Sequence, residues 1–134
     1  MAEKIKINVG SAMTELDDPP PNFPVHGRDL MNGIPKEVVV TYIEIANALN
    51  NAIEAIEAAI MNALFTTPPA LSADIYNTGI YLAGGGSMLR GLDKRLSKKT
   101  DLPVFIAEDP LRAVVRGTGI TLKNIERYKS VLVK

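Results

Sequence analysis

The run from Gly79 to Leu92, Gly-Ile-Tyr-Leu-Ala-Gly-Gly-Gly-Ser-Met-Leu-Arg-Gly-Leu, restricts the fold more than any other stretch. Ile80 to Ala83 reads as a short buried strand, and Gly84, Gly85 and Gly86 strip the following turn of side chains. A flat ligand can then lie directly against backbone. A helix is expected to start near Ser87 and run to about Lys99, aiming its free amides and positive dipole end into the same space. Strand, glycines and helix are how α/β proteins build nucleotide sites. The same residues also suffice for a plain tight turn, and the motif alone leaves both readings open.

The rest of the chain surrounds that unit. Met1 to Val9 has helical character without a capping residue ahead of it, so it reads as the tail of a helix that begins upstream. Asp17 to Pro24 holds four prolines and reads as a loop. Val25 to Thr41 reads as a hairpin turning at Asn32-Gly33, with Pro35 placing the second strand at an edge. Thr41 with Glu44 forms a capping box opening a long helix that Pro68-Pro69 ends. Ile45, Ala46, Leu49, Ala52, Ile53, Ile56, Ile60, Ala63 and Leu64 make its apolar stripe, with Glu54 and Glu57 on other faces.

Ser72 is expected to cap a short helix to Asn77. In the helix after the glycines, Leu89, Leu92 and Leu96 point inward, and Lys94, Arg95, Lys98 and Lys99 read as solvated surface. Val104 to Ala107 is a second buried strand, expected to lie parallel to the first. Asp109 and Pro110 are expected to cap and start a last helix reaching about Arg127. Gly117 and Gly119 inside it cost about 1 kcal/mol each relative to alanine, which close approach of another backbone would compensate.

Charge and composition remove several functions. Fifteen basic and 15 acidic side chains cancel, so no field attracts nucleic acid or an acidic membrane. The absence of cysteine excludes disulfides and thiolate metal sites. His26 is the only histidine, so no histidine cluster can hold a metal, and it sits in the expected hairpin without the sequence context of a catalytic base, so no Ser-His-Asp arrangement is read. Charged residues interrupt both the N-terminus and the long helix, which argues for a cytoplasmic protein. Asp17-Asp18 and Glu108-Asp109 are explained by a loop and a cap, so no catalytic residue is assigned.

Four stretches in order carry a resemblance: Ala2 to Ala12, Gly79 to Asp93, Leu102 to Gly119, and Asn124 to Leu132. Together they resemble the C-terminal portion of the MreB family, the bacterial actin-like proteins that determine rod shape. The glycine motif alone is similar to the wider actin, Hsp70 and sugar-kinase superfamily. The resemblance implies an α/β fold with α+β character, part of an actin-like ATPase. Residues 1–12 would end a helix entering the rim subdomain. Residues 13–66 would be that subdomain's hairpin and long helix, and 67–134 the closing part of an RNase-H-like subdomain.

It further implies that Gly84, Gly85 and Gly86 support the adenosine of ATP or ADP, with Met88 at the base edge. Glu3 and Lys6, on one helical face, match the family's ribose and adenine contacts; without the resemblance they read as exposed helix charges. The family's magnesium aspartates and phosphate loops have no counterpart here, so this chain by itself is expected to be inactive. The implied setting is a filament of self-associating subunits at the inner face of the cell membrane. A membrane-anchored adaptor and the wall-elongation machinery would be its partners, with membrane contact through a portion not present here. Another superfamily ATPase or small-molecule kinase, or a stand-alone interaction module, are the alternatives.

Overall fold

The computed structural model describes residues 1–131. Its helices are α1 (Ala2–Val9), α2 (Tyr42–Thr66), α3 (Pro69–Thr78), α4 (Leu92–Thr100) and α5 (Ala113–Lys123). Its strands are β1 (Phe23–Arg28), β2 (Pro35–Val40), β3 (Ile80–Leu82) and β4 (Val104–Ile106). Single 3-10 turns occupy Gly85–Met88 and Lys129–Val131. The mixed α/β and α+β character is as expected: one pair of strands is parallel and the other is a local hairpin.

β1 and β2 pair antiparallel, from Phe23 opposite Val40 to Arg28 opposite Pro35. The connection is longer than a two-residue Asn-Gly turn. Asp29 N–H donates to the Ile34 carbonyl at 3.0 Å, and Gly33 N–H to the Asp29 carbonyl at 2.8 Å. The side chains of Asp29 and Asn32 accept from the amides of Met31 and Ile34, holding the loop by Asx turns. Pro24, expected to close the loop, instead stands in β1 opposite Val39. Each strand of a two-stranded ribbon has an outer edge, so a residue without an N–H is tolerated.

α2 begins with the expected reciprocal cap. The Thr41 hydroxyl accepts from Glu44 N–H, and the Glu44 carboxylate accepts from Thr41 N–H at 2.8 Å. Its buried residues are Ala46, Ile53 and Glu57, so the stripe runs differently from the expected one. Ile56 is 47% exposed and Glu57 takes an inward place one turn after Ile53. α3 starts at Pro69, whose missing N–H suits the first helical position. Ser72 is therefore inside this helix and not its cap; its hydroxyl donates back to the Pro68 carbonyl.

β3 and β4 are parallel as expected, with Ile80, Tyr81 and Leu82 opposite Val104, Phe105 and Ile106. They are not the buried strands expected: Tyr81, Phe105 and Ile106 are exposed and no residue of either strand is fully buried, because among the described residues the sheet has only two strands and only Leu82 and Val104 reach the core. The helix between them is not continuous with the glycines as expected. After the 3-10 turn the chain extends through Leu89, and Gly91 adopts a left-handed φ of +74° before α4 starts. Arg90 forms an isolated parallel bridge to Ser11, which requires extended backbone where a helix would have passed. The last helix likewise starts late. Pro110 turns its carbonyl to Gly84 N–H at 2.7 Å, so Asp109 and Pro110 form a turn and α5 begins at Ala113, ending at Lys123. Among the described residues no neighbour comes within 4 Å of a Cβ placed at Gly117 or Gly119, so no backbone approaches them.

The core lies where α2, α4, the exit of α1 and β3–β4 meet. Ala12, Ile53, Leu92 and Leu96 are its centre, with Leu49, Ile60, Leu82, Leu89 and Val104 packed around. Full burial of each Leu or Ile there is worth about 1.5–3 kcal/mol. Much apolar surface stays outside: Leu30, Met31 and Phe65 are almost fully exposed, and α5 buries no residue.

Candidate functional site

The glycine turn is braced from behind and bare in front. Gly84 sits at φ +83°, ψ 169°, a region essentially restricted to glycine. Its carbonyl accepts from Ser87 N–H at 3.2 Å and from the Ser87 hydroxyl at 2.7 Å. Ser87 is buried, and together with the Pro110 carbonyl it fixes the turn on its inner side. On the outer side a Cβ at Gly84 or Gly86 would meet nothing within 4 Å, and one at Gly85 only the Leu111 side chain at 3.4 Å. Met88 and Leu111 are both exposed, giving apolar groups at the rim. The arrangement accepts a flat apolar or aromatic group against backbone. It presents one 3-10 turn; the amino end of α4, expected to face the ligand, begins behind Gly91 instead.

Glu3 and Lys6 are exposed on α1 and ion-paired to each other at 2.9 Å. α1 is fastened to the exit of the glycine turn through a residue not singled out from sequence. Ala12 N–H donates to the Arg90 carbonyl at 2.8 Å. The Arg90 guanidinium donates to the Gly10 carbonyl at 3.4 Å, a favourable place for a cation at a helix carboxyl end. Gly10 is required by the last turn of α1 itself: a Cβ there would lie 2.1 Å from the Lys6 carbonyl oxygen, and it would also come within 3.0 Å of the Leu89 side chain. Gly84, Gly85, Gly86 and Met88 are thus contiguous, and the helix carrying Glu3 and Lys6 is anchored to the same loop. No local signal marks Arg90, whose partner lies 80 residues away.

Arg95 and Glu57, expected on solvated faces, point inward instead. Arg95 Nε donates to Glu57 Oε1 at 2.5 Å, and Arg95 Nη1 to the Ala12 carbonyl at 2.9 Å. Both side chains are largely buried. The spacing Ile53, Glu57, Ile60 contained the signal, since it puts the carboxylate on the core stripe where only a cation could accompany it. Lys94 does remain at the surface and pairs with Asp17, whose carboxyl is held below its ordinary range by that hydrogen bond and the lysine charge. The same bond raises the Lys94 ammonium.

Hollows of about 490 Å³ and 380 Å³ lie along α4 and between α4, α2 and residues 12–15; neither is lined by the glycine turn. Among the described residues no cluster of three or more His, Asp or Glu could hold a metal. No helix among them is long and apolar enough to cross a membrane.

The chain is similar to known proteins in both sequence and fold. Residues 1–130 match the family described as MreB/Mbl protein. The cell shape-determining protein Mbl of Bacillus cereus is 40% identical over 126 residues, 94% of this chain and 37% of that protein. The cell shape-determining protein MreB of Escherichia coli K12 is 41% identical over 127 residues, 95% of this chain and 36% of that protein. The chain therefore spans little more than a third of these relatives. Among solved structures, MreB5 of Spiroplasma citri bound to ADP superposes with a TM-score of 0.84 at 36% identity, covering 96% of this chain and 39% of that one. A MamK mutant bound to AMPPNP, at 24% identity and a TM-score of 0.55, shares the fold.

Proposed function

Since this chain belongs to the MreB/Mbl family, we propose that it supplies the adenosine-side contacts of a filament-forming, cell-shape-determining ATP-binding protein. Gly84, Gly85 and Gly86 form the surface against which the nucleoside lies, and Met88 meets the base edge. Glu3 and Lys6 open from their mutual pair to reach ribose and adenine. Residues 13–66 act as the rim unit and 67–134, of which 132–134 lie outside the described residues, as part of the nucleotide-bearing unit. Self-association into filaments at the cytoplasmic face of the membrane, with an adaptor and the wall-building machinery, belongs to the same reading. In this reading the magnesium and phosphate contacts come from parts of the family's fold that this chain does not match.

One observation carries the proposal: the space in front of Gly84 and Gly86 is empty in a chain that superposes on an ADP-bound relative. Gly86 is the informative position to change, because its backbone conformation is ordinary and nothing crowds it. Fluorescent ADP titrated against the protein should bind, and Gly86→Val should weaken binding by at least about tenfold, ~1.4 kcal/mol. Thermal melting should be unchanged. Full affinity in a folded Gly86→Val protein removes the turn from the site.

A further inference from the structure

The Arg95 guanidinium is the one cationic group, among the described residues, that bonds both α2 and the segment feeding the hairpin. Its Nε meets Glu57 on α2 at 2.5 Å and its Nη1 meets the Ala12 carbonyl at 2.9 Å. Ala12 is fully buried, and its own N–H is held by the Arg90 carbonyl. Both polar groups of one residue are thus gripped by the segment that leaves the glycine turn. From Ala12 the chain runs into β1, β2 and α2, so the hairpin and its helix hang from a connection that Arg95 pins at one end. Glu57 pins the body of α2 to the same group.

The rest of this contact is apolar: Ile53 and Leu49 on α2 against Leu92 and Leu96 on α4. Such packing is non-directional and permits sliding. A planar guanidinium with two fixed donors is directional. A buried ion pair adds little net stability over an apolar pair of the same size, so its distinctive contribution here is geometric.

We infer that Arg95 is an orienting clasp: it sets the angle between the hairpin–α2 unit and the glycine-turn unit, and transmits displacement of α4 to α2. The transmitted signal, a nucleotide settling on Gly84 to Gly86, rests on the functional reading above. The clasp itself does not.

The chain has no cysteine, so Lys36→Cys on β2 and Lys99→Cys on α4, both exposed, accept two spin labels without competition. Electron–electron double resonance then reads the angle as a distance distribution. The parent should give one narrow distribution. Arg95→Lys, which keeps the charge but loses the fork, should broaden it. Glu57→Leu with Arg95→Leu should keep the melting temperature of the parent and still broaden it. A parent-like distribution in either variant overturns the clasp.

ADP at saturation should displace the parent's distribution and leave that of the double variant in place. If ADP fails to bind the parent, the nucleotide reading fails while the ligand-free distributions still decide the clasp. If ADP binds and moves both proteins equally, transmission through Arg95 is overturned.

Discussion

Two glycine-marked regions of this molecule use the residue for opposite ends. At the α1 exit, glycine is needed because the space is full: any Cβ on Gly10 collides with the Lys6 carbonyl and crowds Leu89. At the turn, Gly84 and Gly86 border nothing. The first absence of a side chain lets α1 close its own last turn with Leu89 packed beside it. The second leaves a bare surface with no partner from within the described residues. Gly10 is explained by its neighbours and Gly84 by its backbone conformation; Gly86, with ordinary backbone and nothing before it, is explained by neither.

Three glycine substitutions test that contrast, between a larger effect at Arg95 and a smaller one at Lys94. Arg95→Ala leaves the Glu57 carboxylate buried without its cation and should cost about 3–5 kcal/mol, read as a loss of melting temperature or denaturant midpoint. Gly10→Ala should cost about 3 kcal/mol, since the obstruction is partly backbone and cannot rotate away. If Gly10→Ala melts like the parent, the α1 exit is not closed in the way described.

At the turn, Gly84→Ala should cost about 2 kcal/mol through φ alone, whereas Gly86→Ala should stay within about 0.5 kcal/mol of the parent. Equal losses at the two positions would show that Gly86 is packed as well, collapsing the distinction between the regions.

The smallest effect belongs to the surface pair of Asp17 and Lys94. Asp17 is lowered in the folded state, so its contribution is present above the ordinary carboxylate range and is lost as pH falls through its lowered value. Lys94 is raised, so its contribution is lost as pH rises through its raised value. Lys94→Met should therefore lower the melting temperature slightly at neutral pH, and not at all in acid or at high salt. A salt-independent loss would mean the lysine acts by packing.

What the sequence discloses follows the range of the interactions. The capping box of Thr41 and Glu44, the strands around Tyr81 and Phe105, and the inward Leu92 and Leu96 depend on near neighbours and on periodicity, and were legible. The break between the glycine turn and α4 was not, because Arg90 is drawn straight by Ser11 from the other end of the chain. The late start of α5 has the same origin, since Gly84 captures the carbonyl of Pro110. At the site, the glycines themselves and their resemblance to a family were readable. The roles of Arg90 and Arg95 were not, since basic residues on an amphipathic helix give no sign of which one turns inward. Glu57 is the intermediate case: its phase on the helix pointed inward while its charge argued against.

The bridge between Ser11 and Arg90 also orders events in time. It joins residues 79 apart, so closing that loop costs about 4 kcal/mol of chain entropy before any contact repays it. On a ribosome adding about 5–20 residues per second, the partner of Ser11 emerges roughly 4 to 16 s after it. The hairpin and α2, whose bonds are local, lie wholly inside that interval and can form during it. The α1 exit must wait. In pulse-labelled hydrogen exchange the amides of α2 should gain protection ahead of the Ala12 amide, which closes only when Arg90 arrives.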